Sequence, residues 1–304
     1  MDNQETLMPV VFSDLKESAI RAFDALDISE SSRKDYQYRI RMFSDFIESN
    51  GLNPNTFIQF KQLLKSRTDY SISTKNKYLN SARVFLKELN RRGSLPMDIT
   101  QNVKQFTQNK KHKMDGLNTD EVNSLSSSIR GLDQTPNTSR LKAILSLLIY
   151  QGLRQIEVSR LDVDDLDLNA KKAFICGKGR DDKELIHLHP DTVRILKDYM
   201  QKNRISSGPL FQSQAHNYRG ERLTTRAIRE IVSNHLNSIG IEKTVHGCRH
   251  YFTTQLVKEF KGDLLKVAKL TRHKNLEMLQ VYNDEISSEA DLPVYYGAFS
   301  SVSM

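Results

Sequence analysis

Two short segments within residues 172–189 alternate between apolar and polar residues, and they set the expected fold class. The segments KAFIC and KELIHLH flank the turn GKGRDD, and this combination predicts a β-hairpin. Elsewhere apolar residues recur at the three- and four-residue spacing of helices, as in Tyr36, Ile40, Phe43 and Ile47. We therefore predict a mainly α fold with a small β-sheet.

The helical patterns fall into two blocks separated by a polar stretch. Residues 1–106 are predicted to form an all-helical N-terminal domain, with a second apolar stripe at Tyr78, Ala82, Phe85 and Leu89. Residues 107–116 are lysine-rich and lack periodicity, which is typical of a linker. Residues 117–304 form an α+β domain that ends in a tail, about 284–304, without periodicity.

Composition narrows the protein class. The 304 residues include only two cysteines, Cys176 and Cys248, which excludes a dense disulfide framework and a four-cysteine zinc site. No apolar run approaches the ~18–20 residues of a membrane span. The first residues are acidic and lack the basic segment followed by an apolar segment that is typical of a signal peptide. These features favour a cytoplasmic protein.

The net charge of +8 favours an anionic partner. Residues 61–92 carry nine cations and two anions, which is nearly the whole excess of the chain. Runs of this kind are usually solvated faces, but on one helix and the following linker they indicate a nucleic-acid footprint. The candidate DNA-binding residues are Lys75, Lys77, Arg83, Lys87, Arg91, Lys110, Lys111 and Lys113.

Four segments of the second domain contain residue types that suit phosphate chemistry. They supply Arg154 with Glu157 three residues later, Lys178 at the hairpin tip, His246 with Arg249, and His273 with Tyr282 nine residues later. Each has an ordinary explanation alone: a surface ion pair, a solubilising turn residue, a histidine without a task or a core aromatic.

Taken together, in this order and spacing, these residues resemble the tyrosine recombinase (phage integrase-type) family. The resemblance covers residues 117–285, and the basic front segment is similar to the core-binding domain of the family. Four positions depart from the family pattern. Cys248 and Thr271 stand in place of leucine, Gln151 in place of threonine, and Arg272 in place of the glycine before His273.

The resemblance implies an enzyme that cleaves and rejoins duplex DNA without metal, ATP or another cofactor. Tyr282 would be the nucleophile and form a 3′-phosphotyrosyl link. Arg154 and Arg249 would clamp the phosphate, and His246 and His273 would move protons. Lys178 would protonate the leaving 5′-oxygen, and Glu157 would orient Arg154 or His246.

The resemblance also implies a tetramer that exchanges strands between two specific DNA sites through a Holliday junction. The apolar tail could dock on a neighbouring subunit or pack on its own domain. Three other functions stay open: a type IB topoisomerase, a non-cleaving DNA-binding descendant, and a simple basic nucleic-acid binder. The target site, the biological task, the host and any accessory proteins cannot be read from the sequence.

Overall fold

The computed structural model describes residues 21–108, 116–177, 182–273 and 275–298, without the side chains of residues 285, 287–291, 295 and 298. The chain folds into two compact units, residues 1–110 and 111–304. Most of the predicted linker, together with Lys110, Lys111 and Lys113, lies outside the described residues. Over the described ranges, no helix is both long and apolar enough to cross a membrane.

The described part of the first unit contains three long helices: α1 (Glu30–Asn50), α2 (Thr56–Ser66) and α3 (Ile72–Arg91). The Ser29 and Ser71 hydroxyls accept hydrogen bonds from the first turns of α1 and α3. Gly51 ends α1 with φ of 75°, in the left-handed region that favours glycine. The predicted apolar stripes face inward, and Phe43 lies with its ring centroid 4.7 Å from that of Phe60 and 6.5 Å from that of Phe85.

The prediction that helix continues to residue 106 is wrong. Gly93 has φ of 75° and Pro96 follows three residues later, so the chain leaves the helix after Arg91. It then runs back along α3 without regular structure. The Asn76 side chain holds it there, donating to the Phe106 carbonyl at 3.0 Å and accepting from the Phe106 amide at 2.9 Å.

The second unit has eight helices among the described residues, with α5 at its centre. The helices are α4 (Thr119–Gly131), α5 (Pro136–Ile149), α6 (Gln155–Arg160), α7 (Pro190–Asn203), α8 (Thr225–Ser238), α9 (Val245–Glu259), α10 (Leu264–Thr271) and α11 (Glu277–Ala298). Helix α5 is buried on nearly all sides from Ala143 to Leu148, as expected of a core helix. Helices α6, α7, α8 and α9 pack against it.

The predicted hairpin is confirmed, and a short additional strand joins it. Strands β1 (Leu166–Asp167), β2 (Lys172–Cys176) and β3 (Lys183–His187) form an antiparallel sheet in that order. Ala173 pairs with Ile186 on the buried face, and Phe174 pairs with Leu185 on the exposed face. The alternation in the sequence therefore reflects a sheet with one face on the core.

The end of the chain differs from the prediction. Helix α11 continues to Ala298 and contains Pro293, although the sequence showed no periodicity after residue 283. Leu292, Val294 and Tyr296 are exposed along it. Because these three exposed apolar residues are spaced by two, they lack the three- and four-residue spacing by which helices are recognised.

Candidate active site

Arg154 is carried by a tight turn between α5 and α6. Gly152 in this turn has φ of +57°, and a Cβ atom there would lie 2.1 Å from the Phe252 ring. Only glycine fits this position. The Leu153 amide donates to the Leu147 carbonyl at 3.1 Å, which fixes the path out of α5 and places Arg154 at the start of α6.

Glu157 is a buried partner of Arg154 and not half of a surface ion pair. Its side chain is 1% exposed, whereas that of Arg154 is 36% exposed. One carboxylate oxygen accepts from the Arg154 amide and the other from Arg154 Nη1, both at 2.8 Å. Burial raises the pKa of Glu157, but the charges of Arg272 and Arg154 and these hydrogen bonds outweigh burial and lower it overall.

Arg249 joins two separate segments of the unit. Its residue is 3% exposed, and its guanidinium donates to the Gly152 carbonyl and, at 2.6 Å, to the Thr271 carbonyl. Burial lowers the pKa of Arg249 to about 10, with help from the charges of Arg154 and Arg272, so the group stays cationic at neutral pH. Arg249 thereby ties the Arg154 turn to the end of α10, next to His273.

The first turns of α9 also bring two histidines to the site. The His246 and His250 rings are perpendicular, with centroids 4.4 Å apart. His250 Nδ1 forms a hydrogen bond with the Tyr282 hydroxyl, and the two ring centroids are 5.5 Å apart. Tyr282 lies on α11, is 9% exposed and packs with Val257, Val267 and Leu279.

His273 is held in one orientation by the residue that ends α10. Thr271 Oγ1 donates to the Val267 carbonyl at 2.8 Å and lies 2.6 Å from His273 Nδ1. Because the hydroxyl proton is used, Nδ1 is the donor, and the neutral ring keeps its lone pair on Nε2. Burial and the nearby charges of Arg249, Arg154 and Arg272 lower the pKa of His273 to about 4.

We predict that the His273 ring stays neutral down to about pH 5. The unfolded chain takes up this proton near pH 6.5 and the folded chain near 4. Stability should therefore fall as pH is lowered through that window. Imidazole resonances followed by NMR titration test this, with His273→Gln assigning the signal. A His273 midpoint above pH 6 would contradict it.

Two residues of the cluster were missed by sequence reasoning. His250 directly follows Arg249, and its position four residues after His246 on one helix was the available signal. Arg272 stands out in the sequence only as a departure from the family pattern. In the structure its side chain is 5% exposed and lies 3.3 Å from Glu157, so it joins the site.

Lys178 lies outside the described residues, together with residues 179–181. The base of the hairpin is described, and Arg160 Nη1 donates there to the Gly177 carbonyl at 3.1 Å. Within the described ranges, no three His, Cys, Asp or Glu side chains are grouped as metal ligands. Cys248 is buried in the core, which raises its pKa to about 12.

The candidate DNA-binding residues of the first unit have different surroundings. Lys77, Lys87 and Arg91 are exposed on α3, although Arg91 forms an ion pair with buried Glu88 at 2.6 Å. Lys75 Nζ donates to the Lys65 carbonyl at 3.1 Å. Arg83 is turned towards its own unit, donating to the Val103 carbonyl at 2.5 Å.

Comparison with known proteins finds one family model and several similar recombinases. Residues 116–289 match the model of the phage integrase family. The tyrosine recombinase slr0733 of Synechocystis sp. (PCC 6803) is 33% identical over 157 residues, which is 49% of this chain and half of that protein. Tyrosine recombinase XerC of Lactobacillus delbrueckii subsp. bulgaricus is 28% identical over 72% of this chain and 75% of its own.

Two solved structures share the fold. The XerH site-specific recombinase, in a post-cleavage complex with palindromic difH substrate, matches with a TM-score of 0.74 at 18% identity. The match covers 93% of this chain and 84% of that chain. A lambda integrase tetramer bound to a Holliday junction matches with a TM-score of 0.69 at 13% identity, covering 93% and 78% of the chains.

Proposed function

The chain belongs to the phage integrase family, and from this premise we propose that it is a site-specific tyrosine recombinase that cleaves and rejoins duplex DNA. One observation carries the proposal. The turn at Gly152, the start of α9, the end of α10 and Tyr282 on α11 meet through the bonds of Arg249 to Gly152 and Thr271 and the bond of Tyr282 to His250. They gather arginines, histidines and a tyrosine hydroxyl, which is the set of groups that phosphoryl transfer to a tyrosine needs.

Cleavage proceeds by attack of Tyr282 Oη on the scissile phosphorus. The new O–P bond forms as the bond from phosphorus to the 5′-oxygen breaks, leaving a 3′-phosphotyrosyl link and a free 5′-hydroxyl. Because the phosphoester bond is exchanged and not hydrolysed, attack by a 5′-hydroxyl on the link rejoins DNA without ATP. Strand exchange follows when the attacking hydroxyl comes from the other DNA site.

Proton transfer accompanies both steps. A phenol has an ordinary pKa of about 10, so Tyr282 needs an acceptor at neutral pH. His250 Nδ1 already bonds its hydroxyl and takes this role. Lys178 on the hairpin donates a proton to the leaving 5′-oxygen. His246 exchanges protons around the phosphate, and the neutral His273 ring accepts a proton there at Nε2.

The phosphate gains a second negative charge as it becomes five-coordinate, and arginines stabilise that charge. Arg154 is the more exposed of the two predicted arginines and is oriented by Glu157, so it reaches the non-bridging oxygens most directly. Arg249 uses two of its five N–H groups on carbonyls, which leaves the others for the phosphate.

DNA binding and assembly use other parts of the chain. The exposed Lys77, Lys87 and Arg91 of α3 contact the DNA backbone, with Lys110, Lys111 and Lys113 of the linker. The enzyme assembles as a tetramer that passes through a Holliday junction, and the exposed Leu292, Val294 and Tyr296 of α11 contact a neighbouring subunit. The proposed location is the cytoplasm, which is consistent with a DNA substrate.

A plasmid assay tests this function. A supercoiled plasmid carrying two copies of the presumed recognition site should yield rearranged circles, while a plasmid with one copy should not rearrange within itself. Relaxation of supercoils without dependence on a site would indicate a topoisomerase. Tight binding with neither product would indicate a non-cleaving DNA-binding protein.

A further inference from the structure

Arg272 has a backbone conformation that a residue with a side chain rarely adopts. It follows the last turn of α10 with φ of 58° and ψ of 38°, in the left-handed region. This conformation is energetically unfavourable for a residue other than glycine. Residues with such strained backbone conformations are found most often at functional sites. An arginine at this position needs a compensating interaction.

The side chain of Arg272 is directed into the active site. It is 5% exposed, and Nη2 donates to Glu157 Oε2 at 3.3 Å and to the Gly152 carbonyl at 3.4 Å. Nη1 lies 3.5 Å from the Gln151 carbonyl. Arg272 therefore contacts both the turn that carries Arg154 and the carboxylate that orients Arg154.

The charges of this cluster do not balance. Three guanidinium groups, Arg154, Arg249 and Arg272, lie around the buried carboxylate of Glu157. A second carboxylate, that of the half-buried Glu184, also acts on Arg272, so the positive groups outnumber the negative ones by one. Repulsion from Arg154 and Arg272 adds to burial in lowering the pKa of Arg249. Arg272 Nε is also buried without a hydrogen-bond partner in the described part of the chain. Burying positive charge without full pairing is unfavourable. An excess of buried arginines therefore indicates that an anionic ligand binds here.

A phosphodiester has the matching charge. It carries one negative charge and approaches two in the five-coordinate transition state. The cluster sets three arginines against two glutamates, Glu157 and Glu184, which leaves a positive charge for the phosphate. We infer that Arg272 is a positioning residue of the cleavage reaction: it holds Glu157 and the Arg154 turn, and its charge stabilises the transition-state phosphate. This inference rests on the proposed recombinase function.

The test compares three substitutions of Arg272 by the rate of Tyr282–DNA adduct formation in a single turnover. Arg272→Gly removes the guanidinium while suiting the backbone, Arg272→Met keeps length without charge, and Arg272→Lys keeps charge. Arg204→Gly is the matched control, because Arg204 has φ of 54° after α7 and is exposed. DNA affinity and melting temperature are measured for each variant.

We expect Arg272→Gly and Arg272→Met to form adduct at least thirtyfold more slowly than wild type, with DNA affinity within threefold. Arg272→Lys should be at least tenfold faster than Arg272→Met, and Arg204→Gly should match wild type. A wild-type rate for Arg272→Gly, or equal rates for the Lys and Met variants, would overturn this inference and leave the proposed function standing. Absence of adduct from the wild-type protein would overturn the proposed function and this inference with it.

Discussion

Replacing Glu157 by glutamine is expected to lower the free energy of unfolding by about 3 kcal/mol at neutral pH, since it breaks a buried charge pair by removing one partner. Glu157 is 1% exposed and accepts from the Arg154 amide, Arg154 Nη1 and Arg272 Nη2. The variant leaves Arg272, itself 5% exposed, without this carboxylate. Thermal unfolding should show a melting temperature about 6–12 °C lower.

The pH dependence of this loss identifies the carboxylate as its source. The pKa of Glu157 is lowered in the folded protein from its ordinary 4.5. Its charge therefore contributes stability above about pH 4.5, and that contribution disappears as pH falls through the lower folded-state value. The difference between Glu157→Gln and wild type should be constant from about pH 5 to 8 and shrink below about pH 4.

A surface glutamate in the same unit provides the control for this experiment. Glu230 forms an ion pair with Arg226 at 2.8 Å, four residues apart, and its side chain is 56% exposed. Because exposed pairs contribute little, Glu230→Gln should leave the melting temperature unchanged within error. An equally small effect of Glu157→Gln would show that Glu157 does not hold the arginine cluster together.

Replacing Arg249 by lysine is expected to slow strand cleavage by at least about a hundredfold, the range found when one donor to a transition-state oxyanion is lost. The substitution keeps the charge but removes the planar fork. A lysine ammonium cannot donate to the Gly152 and Thr271 carbonyls in the same geometry. The Arg154 turn and the residue before Arg272 then lose the group that joins them.

The same substitution should also reduce stability, because a buried carbonyl left without its donor costs about 1–3 kcal/mol. Arg226→Lys makes the same chemical change on the surface of the same unit and should affect neither cleavage nor unfolding. Single-turnover cleavage and thermal unfolding measure the two effects. Near-normal cleavage by Arg249→Lys would contradict the role given to its guanidinium.

The sequence predicted the parts of the fold that have a local periodicity. The hairpin followed from its alternation and turn, and the inward faces of α1 and α3 followed from residues such as Phe43 and Phe85. The second half of α11 could not be found in this way, because the exposed apolar residues Leu292, Val294 and Tyr296 are spaced by two and not by three or four.

Tertiary contacts decide what sequence spacing leaves open. The three-residue spacing of Arg154 and Glu157 suits a surface pair equally well, and only the packing around α6 makes Glu157 1% exposed. Arg83 was expected on the DNA-facing side of α3, but the chain after Gly93 returns along that helix and offers the Val103 carbonyl. The contact between His250 and Tyr282 joins residues 32 apart in sequence, and no spacing rule indicates it.

Covalent trapping tests the central claim most directly. The protein is incubated with a nicked suicide substrate carrying its presumed site, or with a library of the DNA that flanks its gene. Adducts are then located by denaturing gel and peptide mass spectrometry. A DNA adduct on Tyr282 that is absent from Tyr282→Phe is the predicted result. An adduct that persists in Tyr282→Phe, or that maps to Tyr296, would show that another tyrosine is the nucleophile.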